Sequence, residues 1–324
     1  MKHLLMRVVS LAVLAGTALF GQAAQAEYPE RPITVIVPWS AGGGTDATGR
    51  MIAKIMQDEL GVPINVVNRT GGSGVVGHQA IASAKPDGYT IGIVTVEIAM
   101  MHWAGLTELD YTAYTPIAMY NADPAGVSVV AGSSFTSVGQ ILDAAKANPG
   151  AMKGSGSGQG GIWHLALAGM LVEAGIDPNA VPWVPSQGAA PALADLAAGG
   201  VDVATASVVE ARALKDAGKI TVLAVMADAR LPAFPDVPTL KEAGGPAWTT
   251  AAWRTVAGPK GLPAEIQAKL AATMEKIYNS AEFQEFMAGR GFGLTWAGPD
   301  ALGKRYADED ASFGKVMKAA GIAR

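Results

Sequence analysis

The chain has 324 residues, of which 50% are hydrophobic and only 16% are charged, a composition that excludes an intrinsically disordered protein and a typical nucleic-acid-binding protein. Its formal net charge of −4 argues against a polyanionic partner, although a few local donors could still hold one small anion. Cysteine is absent, which excludes disulfides, thiolate catalysis and cysteine-ligated zinc, and the histidines are too widely spaced to suggest a metal site.

The first 26 residues have the organisation of a secretory signal peptide. Lys2 and Arg7 supply positive charge, residues 8–20 form an apolar run, and residues 24–26 (Ala-Gln-Ala) make a small-x-small cleavage site. A membrane anchor is the alternative, but the apolar run is too short to span the roughly 30 Å of a bilayer core comfortably. We therefore predict a cleaved signal peptide over residues 1–26 and an exported, soluble mature protein.

The next hundred residues alternate strands and helices. The β-branched run at 33–37 predicts a buried strand, and the apolar spacing after the following glycines predicts a helix that ends at Gly61. Further strands are predicted at 64–68 and 89–96, each separated from its neighbour by a glycine-rich loop and a helical segment. This alternation is typical of a doubly wound α/β sheet.

The middle of the chain repeats this alternation, and the last third is mainly helical. Strands are predicted at 125–132, 201–208 and 220–227, and helices at 138–146, 163–175, 190–200, 264–279, 281–288 and 300–320. Neither a repeat of fixed period nor a low-complexity linker separates the two α/β units. We predict two lobes joined by crossing strands with a cleft between them, lobe I formed by 27–126 and 250–324 and lobe II by 127–249.

Three glycine-rich loops lie where a predicted strand or loop leads into a helix, at 40–46, 155–161 and 186–188. A helix N-terminus carries about half a positive charge and several unpaired N–H donors, and glycine lets a ligand oxygen approach them. We expect the first loop to bind a carboxylate or phosphate, with Thr45 or Asp46 capping the helix. A plain tight turn is the alternative for any one of these loops.

Enzyme signatures are weak in this sequence. Gly156, Gly158 and Gly161 fit G-x-G-x-x-G, but a convincing strand does not precede them and an acidic residue does not follow at the usual distance. A P-loop and a nucleophile elbow are absent from the sequence. Asp46 and Glu97 could form an acid–base pair, yet a helix cap and a polar pocket wall are the simpler roles. We therefore expect a non-enzymatic protein without a cofactor.

Several segments together resemble the Bug/TctC family, the extracytoplasmic solute-binding receptors of tripartite tricarboxylate transporters. They include Gly-Gly-Gly-Thr-Asp at 42–46, Asn-Arg-Thr-Gly-Gly at 68–72, "GSGSGQGGIWHLALAGM" at 154–170 and Asp-Val-Pro-Thr at 236–239. These segments occur in the family's order, and the likeness covers essentially all of the chain after the predicted signal peptide.

The resemblance implies a two-lobed type II periplasmic-binding-protein fold that closes on its ligand, a periplasmic location and a small organic acid as ligand. It also implies delivery to a transporter with one large and one small membrane subunit, by a receptor that we expect to be a monomer. The ligand-binding residues that we predict, partly from the loops and partly from the resemblance, are Ser40, Ala41, Gly42, Gly43, Gly44, Thr45, Asp46, Glu97, Ser157, Gln159, Gly160, Gly161, Trp163, His164, Ser186, Gln187, Gly188 and Ser207.

The chain departs from the family pattern at positions that bear on the ligand. The last loop reads Ser186-Gln187-Gly188 where the family often has Tyr-Lys-Gly, and Ile162 and Trp163 replace hydroxyl and proline positions. These changes predict a mono- or dicarboxylate with an apolar, aromatic or branched body, unless Trp163 only packs in the core. Two other functions stay open: a sensor that signals through a membrane kinase and a secreted enzyme acting on a carboxylate.

Overall fold

The computed structural model describes residues 28–186 and 188–324. The predicted signal peptide and the predicted ligand residue Gln187 lie outside the described residues. Within those two ranges, none of the helices has the length and apolar character needed to cross a bilayer.

The first α/β unit is built around strand β1. Strand β1 (Ile33–Val37) pairs in parallel with β2 (Ile64–Asn68) and with β3 (Thr90–Thr95). Helices α1 (Gly44–Leu60) and α2 (Val75–Ala82) make the connections between these strands. The predicted strands and the first predicted helix are confirmed, including the end of α1 at Gly61, where φ is +70°.

One long strand runs through both halves of the molecule. Strand β4 (Tyr114–Val130) pairs antiparallel with β9 (Ala251–Pro259) as far as Pro124, and from Ala125 onward it pairs with β7 (Val203–Ser207) and β8 (Ile220–Val225). The sheet order is β2-β1-β3-β9-β4-β7-β5-β6, where β5 is Gly154–Ser155 and β6 is Trp183–Val184, and β8 and β10 (Leu294–Ala297) also pair with β4. The change of partners on β4 divides the sheet into two halves, and we name them lobe I and lobe II.

Lobe II has shorter strands and more helix. Strands β5 (Gly154–Ser155) and β6 (Trp183–Val184) extend its half of the sheet in parallel with β7. Its helices are α3 (Val138–Ala147), α4 (Ile162–Glu173), α5 (Ala189–Ala197) and α6 (Val208–Asp216). The two-lobed α/β architecture is thus as predicted, while the residue bounds that we gave for the lobes stay a prediction.

The C-terminal helices return to lobe I. Helices α7 (Ala264–Asn279) and α8 (Ala281–Arg290) are followed by strand β10 (Leu294–Ala297) and helix α9 (Pro299–Ala319). Helix α9 packs against β4 and also against α4 of lobe II. The sequence pattern predicts these three helices closely, but it misses strands β9 and β10.

The apolar core of lobe I fixes the direction of α1. Ile52 and Met56 of α1 pack with the strand residues Ile33 and Ile93 in one buried cluster. Full burial of such side chains contributes about 1.5–3 kcal/mol each. A buried hydrogen bond of 3.0 Å between the hydroxyl groups of Thr48 and Tyr120 also ties α1 to β4. The N-terminus of α1 is therefore held rigidly where β1 ends, at the edge of the cleft between the lobes.

Candidate functional site

The cleft between the lobes contains two neighbouring cavities. The first, which we name the arginine cavity, has a volume of about 380 Å³ and includes Arg254 in its lining. The second, the methionine cavity, has a volume of about 490 Å³ and includes Met100 and Met101. Both volumes lie in the range of small-molecule sites. The residues that line both cavities are Trp39, Glu97, Ile162 and Trp163.

The start of α1 borders the arginine cavity without a side-chain cap. Its N-cap is Gly43, so the prediction that Thr45 or Asp46 caps the helix is wrong. Gly42 makes the preceding turn with φ +84°, a conformation that favours glycine. The first helical hydrogen bond runs from the Ala47 amide to the Gly43 carbonyl, and the amides of Gly44 and Thr45 have no acceptor among the described residues. Both residues line the arginine cavity.

Asp46 has a structural role on the other side of the same helix. Its carboxylate accepts hydrogen bonds from the Gly42 amide (2.8 Å), the Arg50 Nε (3.0 Å) and the Asn68 side-chain amide (2.9 Å). Burial opposes the charge, but the hydrogen bonds from Arg50, Gly42 and Asn68 hold the pKa of Asp46 below its usual value. The carboxylate therefore stays ionised and fixes the glycine loop, away from the two cavities.

Arg254 on β9 faces the start of α1, and it is not among the ligand residues predicted from the sequence. Its Nε donates to the Thr45 hydroxyl at 3.0 Å, and its Nη1 donates to Asp123 at 2.8 Å and to Asn121. Burial alone would lower the pKa of Arg254, but Asp123 beside it raises the pKa, so the guanidinium is charged. Its Nη2 donates to none of the described residues.

Gly44 allows the helix to start this close to the guanidinium. A Cβ at position 44 would lie 3.2 Å from the Arg254 Nη2 and 3.1 Å from the Phe292 ring. The Arg254 guanidinium also lies 5.4 Å from the centre of the Phe292 ring, within cation–π range. The positive end of α1, its unpaired amides and one guanidinium N–H group therefore meet at one wall of the arginine cavity.

Two glutamates line the arginine cavity beside this positive wall. Glu97 accepts a hydrogen bond from the Thr95 hydroxyl. Burial raises the pKa of Glu97, although the Thr95 hydrogen bond and the nearby charge of Arg254 each act to lower it. Glu210 and Ser207 form a capping box at the start of α6, in which the Ser207 hydroxyl donates to Glu210 at 2.9 Å. With Asp123, the cavity holds three carboxyl groups and one guanidinium. A ligand group opposite the glutamates must therefore be neutral or positive, or must share a proton.

The start of α4 forms the opposing wall in lobe II. Its N-cap is Gly161, again without a side-chain cap, and the next two residues, Ile162 and Trp163, line both cavities. Trp163 is only 6% exposed, so it is a core residue that also contributes to the cleft. Its carbonyl accepts a buried hydrogen bond from the Thr205 hydroxyl at 2.6 Å, which fixes the helix start to β7.

His164 follows in α4 but supports the loop rather than the cavities. Its Nδ1 accepts a hydrogen bond from the Gly160 amide at 3.0 Å, and its ring stacks on Trp183 at 4.6 Å. Burial lowers the pKa of His164 to about 4, so the ring is neutral at physiological pH. Lobe II therefore presents a helix start to the cleft without a histidine cation beside it.

The structure brings many of the predicted ligand residues together, and whether they contact a ligand stays a prediction. Those that line either cavity are Gly44, Thr45, Glu97, Ser157, Gln159, Gly160, Gly161, Trp163, Ser186, Gly188 and Ser207. Those that line neither are Ser40, Ala41, Gly42, Gly43, Asp46 and His164. Arg254, Asp123 and Glu210 were missed, although the Ser-x-x-Glu pattern at 207–210 is a recognisable capping box. In the described part of the chain, groups of His, Asp and Glu suited to a metal ion are absent.

Known proteins of one family are similar to this chain in sequence. A family model described as "Tripartite tricarboxylate transporter family receptor" matches residues 48–322. The UPF0065 protein in the tcbD–tcbE intergenic region of Pseudomonas sp. (strain P51) is 31% identical over 316 residues, which cover 96% of this chain and 93% of that protein.

Solved structures of similar chains share the fold. A TctC solute-binding protein from Polaromonas has a TM-score of 0.80 and 34% identity, covering 90% of this chain and 99% of that one. Rpa4515 of R. palustris, solved with adipate, has a TM-score of 0.76 and 31% identity, covering 92% and 99%. These matches confirm the predicted fold and the predicted resemblance.

Proposed function

The chain belongs to the receptor family of tripartite tricarboxylate transporters, and we propose that it captures a small organic carboxylate in the periplasm and delivers it to the large and small membrane subunits of such a transporter. In this proposal the protein is a binding protein rather than an enzyme, and it reaches the periplasm through its predicted signal peptide. A mature N-terminus at Glu27 in protein recovered from the periplasm would test that route.

The observation that carries the proposal is the convergence of Arg254 with the start of α1. The Nη2 of Arg254 and the amides of Gly44 and Thr45 are donors on one wall of the arginine cavity. Asp123 and Thr45 already hold the guanidinium in place, so little side-chain entropy is lost when a ligand binds. Hydrogen bonds to a charged group contribute about 1.5–3 kcal/mol each. A ligand carboxylate fits this wall.

The rest of the arginine cavity restricts the other end of the ligand. Glu97 and Glu210 would repel a second carboxylate inside this cavity unless a proton were shared. A hydroxyl, amide or amine on the ligand could instead donate to Glu97. We therefore propose an acid with one carboxylate at Arg254 and a donor or an apolar group beside the glutamates.

Closure of the lobes would complete the site. Near the change of partners on β4, the Ala125 amide donates to the Thr250 carbonyl at 3.0 Å, and the Met226 amide donates to the Ala125 carbonyl at 2.7 Å. These hydrogen bonds link the segments that cross between the lobes and leave few backbone positions to act as a hinge. Small-angle scattering should give a smaller radius of gyration with saturating ligand, and an unchanged profile would favour a rigid cleft.

A thermal-shift screen against organic acids tests the proposal directly. A ligand present at 100 times its Kd adds about 2.7 kcal/mol to the free energy of unfolding, which is several degrees for a chain of this size. Equilibrium dialysis should then return the bound acid unchanged, whereas conversion of the acid would favour an enzyme. Loss of uptake of that acid after gene deletion would support delivery to a transporter. A screen in which none of the carboxylates binds would overturn the proposal.

A further inference from the structure

The methionine cavity differs from the arginine cavity in the chemistry of its lobe I wall. Next to Trp39, Ser73 and Glu97, that wall includes four apolar residues, Met100, Met101, Ala104 and Leu106. The backbone of this segment is fixed, because the amides of Met100 and Met101 both donate to the Glu97 carbonyl, at 2.9 and 2.8 Å. The wall is therefore a built apolar surface that begins directly after Glu97.

Leu106 is the most exposed residue of this wall. Its side chain is 52% exposed and lines the methionine cavity. A single exposed leucine on a protein surface is ordinary, but one that continues a row of buried methionines into a cavity leaves an apolar surface for another molecule to cover. Methionine side chains also adapt readily to ligands of different shape.

The two cavities are adjacent, since Glu97 and Trp163 line both. An acid of four carbons held at Arg254 would lie wholly within the arginine cavity and leave the methionine cavity to water. A longer chain that leaves the arginine cavity at Trp163 would lie against Met100, Met101 and Leu106. The opposite wall, with Ser157, Gln159 and glycines, can remain hydrated.

We propose that the ligand is an amphipathic acid whose carboxylate lies at Arg254 and whose unbranched apolar chain extends past Glu97 into the methionine cavity. A hydroxyl or amide near the carboxylate would donate to Glu97. This inference rests on the proposed function and specifies its ligand class: a medium-chain monocarboxylic acid rather than a short or doubly charged one.

Calorimetry with butyrate, hexanoate, octanoate and adipate tests the inference. A methylene moved fully from water into an apolar cavity increases affinity about fourfold, and because one side of the chain stays hydrated, each step of two methylenes should give roughly a fourfold gain. Adipate has the same number of carbons as hexanoate, but its second carboxylate would face the apolar wall, so hexanoate should bind more tightly.

A pair of leucine variants locates the effect. Leu106→Ser should weaken octanoate binding about fivefold, because the leucine covers only part of the chain. The matched control is Leu294→Ser, since Leu294 is a 38% exposed leucine on β10 that lines neither cavity. We expect the control to bind octanoate as the unaltered protein does.

The outcomes separate this inference from the proposed function. Affinity that rises with chain length and falls in Leu106→Ser alone supports it. Carboxylate binding without dependence on chain length, adipate that binds more tightly than hexanoate, or equal behaviour of the two leucine variants overturns it and leaves the proposed function standing. If none of the four acids and no other carboxylate binds, both are overturned.

Discussion

Each lobe presents the start of a helix to the cleft, and the two starts differ in what lies beside them. Helix α1 of lobe I and helix α4 of lobe II both have a glycine N-cap without a side-chain cap. Beside α1 lies the charged guanidinium of Arg254, whereas the histidine in the first turn of α4 is neutral and stacked on Trp183. Of these two helix starts, that of α1 alone combines a helix dipole with a full positive charge beside it.

A third helix start in the cleft shows how neighbouring side chains can prevent anion binding at a helix N-terminus. Helix α6 has Ser207 as its N-cap, and Ser207 and Glu210 form a capping box. Its N-terminal amides are thus partly paired within the chain, and a carboxylate already occupies its positive end. Among these three helix starts, the neighbouring side chains rather than the glycines decide which one is free to hold an anion.

Removal of Arg254 should have the largest effect on carboxylate affinity, because it removes the positive charge that distinguishes the start of α1 from the start of α4. In Arg254→Met, the affinity for the tightest carboxylate should fall at least 30-fold, since the loss of a buried, hydrogen-bonded charge typically costs 2–5 kcal/mol or more. The measurement is calorimetry with the best acid from the screen. If the affinity stays within threefold, the carboxylate does not bind at the start of α1.

Stability needs its own control in this experiment. Arg254→Met leaves Asp123 buried without its partner, which typically costs 3–5 kcal/mol of unfolding free energy. The double variant Arg254→Met/Asp123→Asn removes that unpaired charge and should recover most of the thermal stability without recovering affinity. Recovery of both would mean that Arg254 matters for folding alone.

Gly44 should show how closely the ligand approaches α1. Alanine favours a helix, but at position 44 its Cβ would lie 3.2 Å from the Arg254 Nη2, where the carboxylate is proposed to bind. We expect Gly44→Ala to lower affinity about tenfold, or roughly 1.4 kcal/mol, by calorimetry. At Gly43 a Cβ would contact only the Ser40 carbonyl at 3.4 Å, so Gly43→Ala is the matched control. Equal losses would indicate that the whole loop contacts the ligand.

The contrast between the glycine loop and Arg254 shows which parts of the site the sequence could predict. The glycine loop before α1 is a local signal, because strand, loop and helix follow one another within about thirty residues. Arg254 is 209 positions from Thr45, and only the placement of β9 between β3 and β4 brings them together. The sequence did contain an indication of this role. Arg254 is the single charged residue in the otherwise uncharged segment 250–258, and an arginine is rarely buried without a partner.

Helix caps were predicted less well, because capping depends on the exact helix start. The loop at 40–46 contains several residues that can cap, and a shift of three residues in the helix start changes Asp46 from an N-cap to an N3 residue. Trp163 illustrates a second limit. Apolar periodicity predicts that it is buried, but only the packing of the two lobes shows that it also lines the cleft.

Glu97→Gln should have an intermediate effect. It should change the relative affinities of different acids rather than abolish carboxylate binding. Above the folded pKa of Glu97, where the carboxylate is ionised, an acid that donates a hydrogen bond to it should lose about three- to tenfold in affinity in the variant, because hydrogen bonds to a charged acceptor are stronger than those to an amide. An acid without a donor should be unaffected or gain. Calorimetry across a panel with and without hydroxyl groups measures this ranking, and an unchanged ranking would place Glu97 outside the site.

The same variant has an expected pH signature. Because the pKa of Glu97 is raised in the folded protein, the native state keeps a proton that an unfolded chain releases near pH 4.5. Unfolding free energy is therefore lost as pH rises from about 4.5 through the folded pKa, and Glu97→Gln lacks this loss. Thermal melts from pH 4 to 8 should show the variant gaining stability relative to the unaltered protein as pH rises. Parallel melting curves would contradict the pKa shift.

His164→Gln should have the smallest effect on binding and would test the lobe II side of the comparison. Since His164 is neutral, we expect the affinity at pH 7 to stay within twofold, with the Gln side chain able to accept the Gly160 amide hydrogen bond. Its folded pKa of about 4 lies below the ordinary 6.5, so the unfolded chain takes up a proton first as pH falls, and stability is lost between pH 6.5 and 4. This pH-dependent loss of unfolding free energy is up to about 3 kcal/mol for His164, and His164→Gln should lack it. If carboxylate binding instead strengthens toward pH 6 in the unaltered protein alone, His164 is a cation, and both lobes hold the anion.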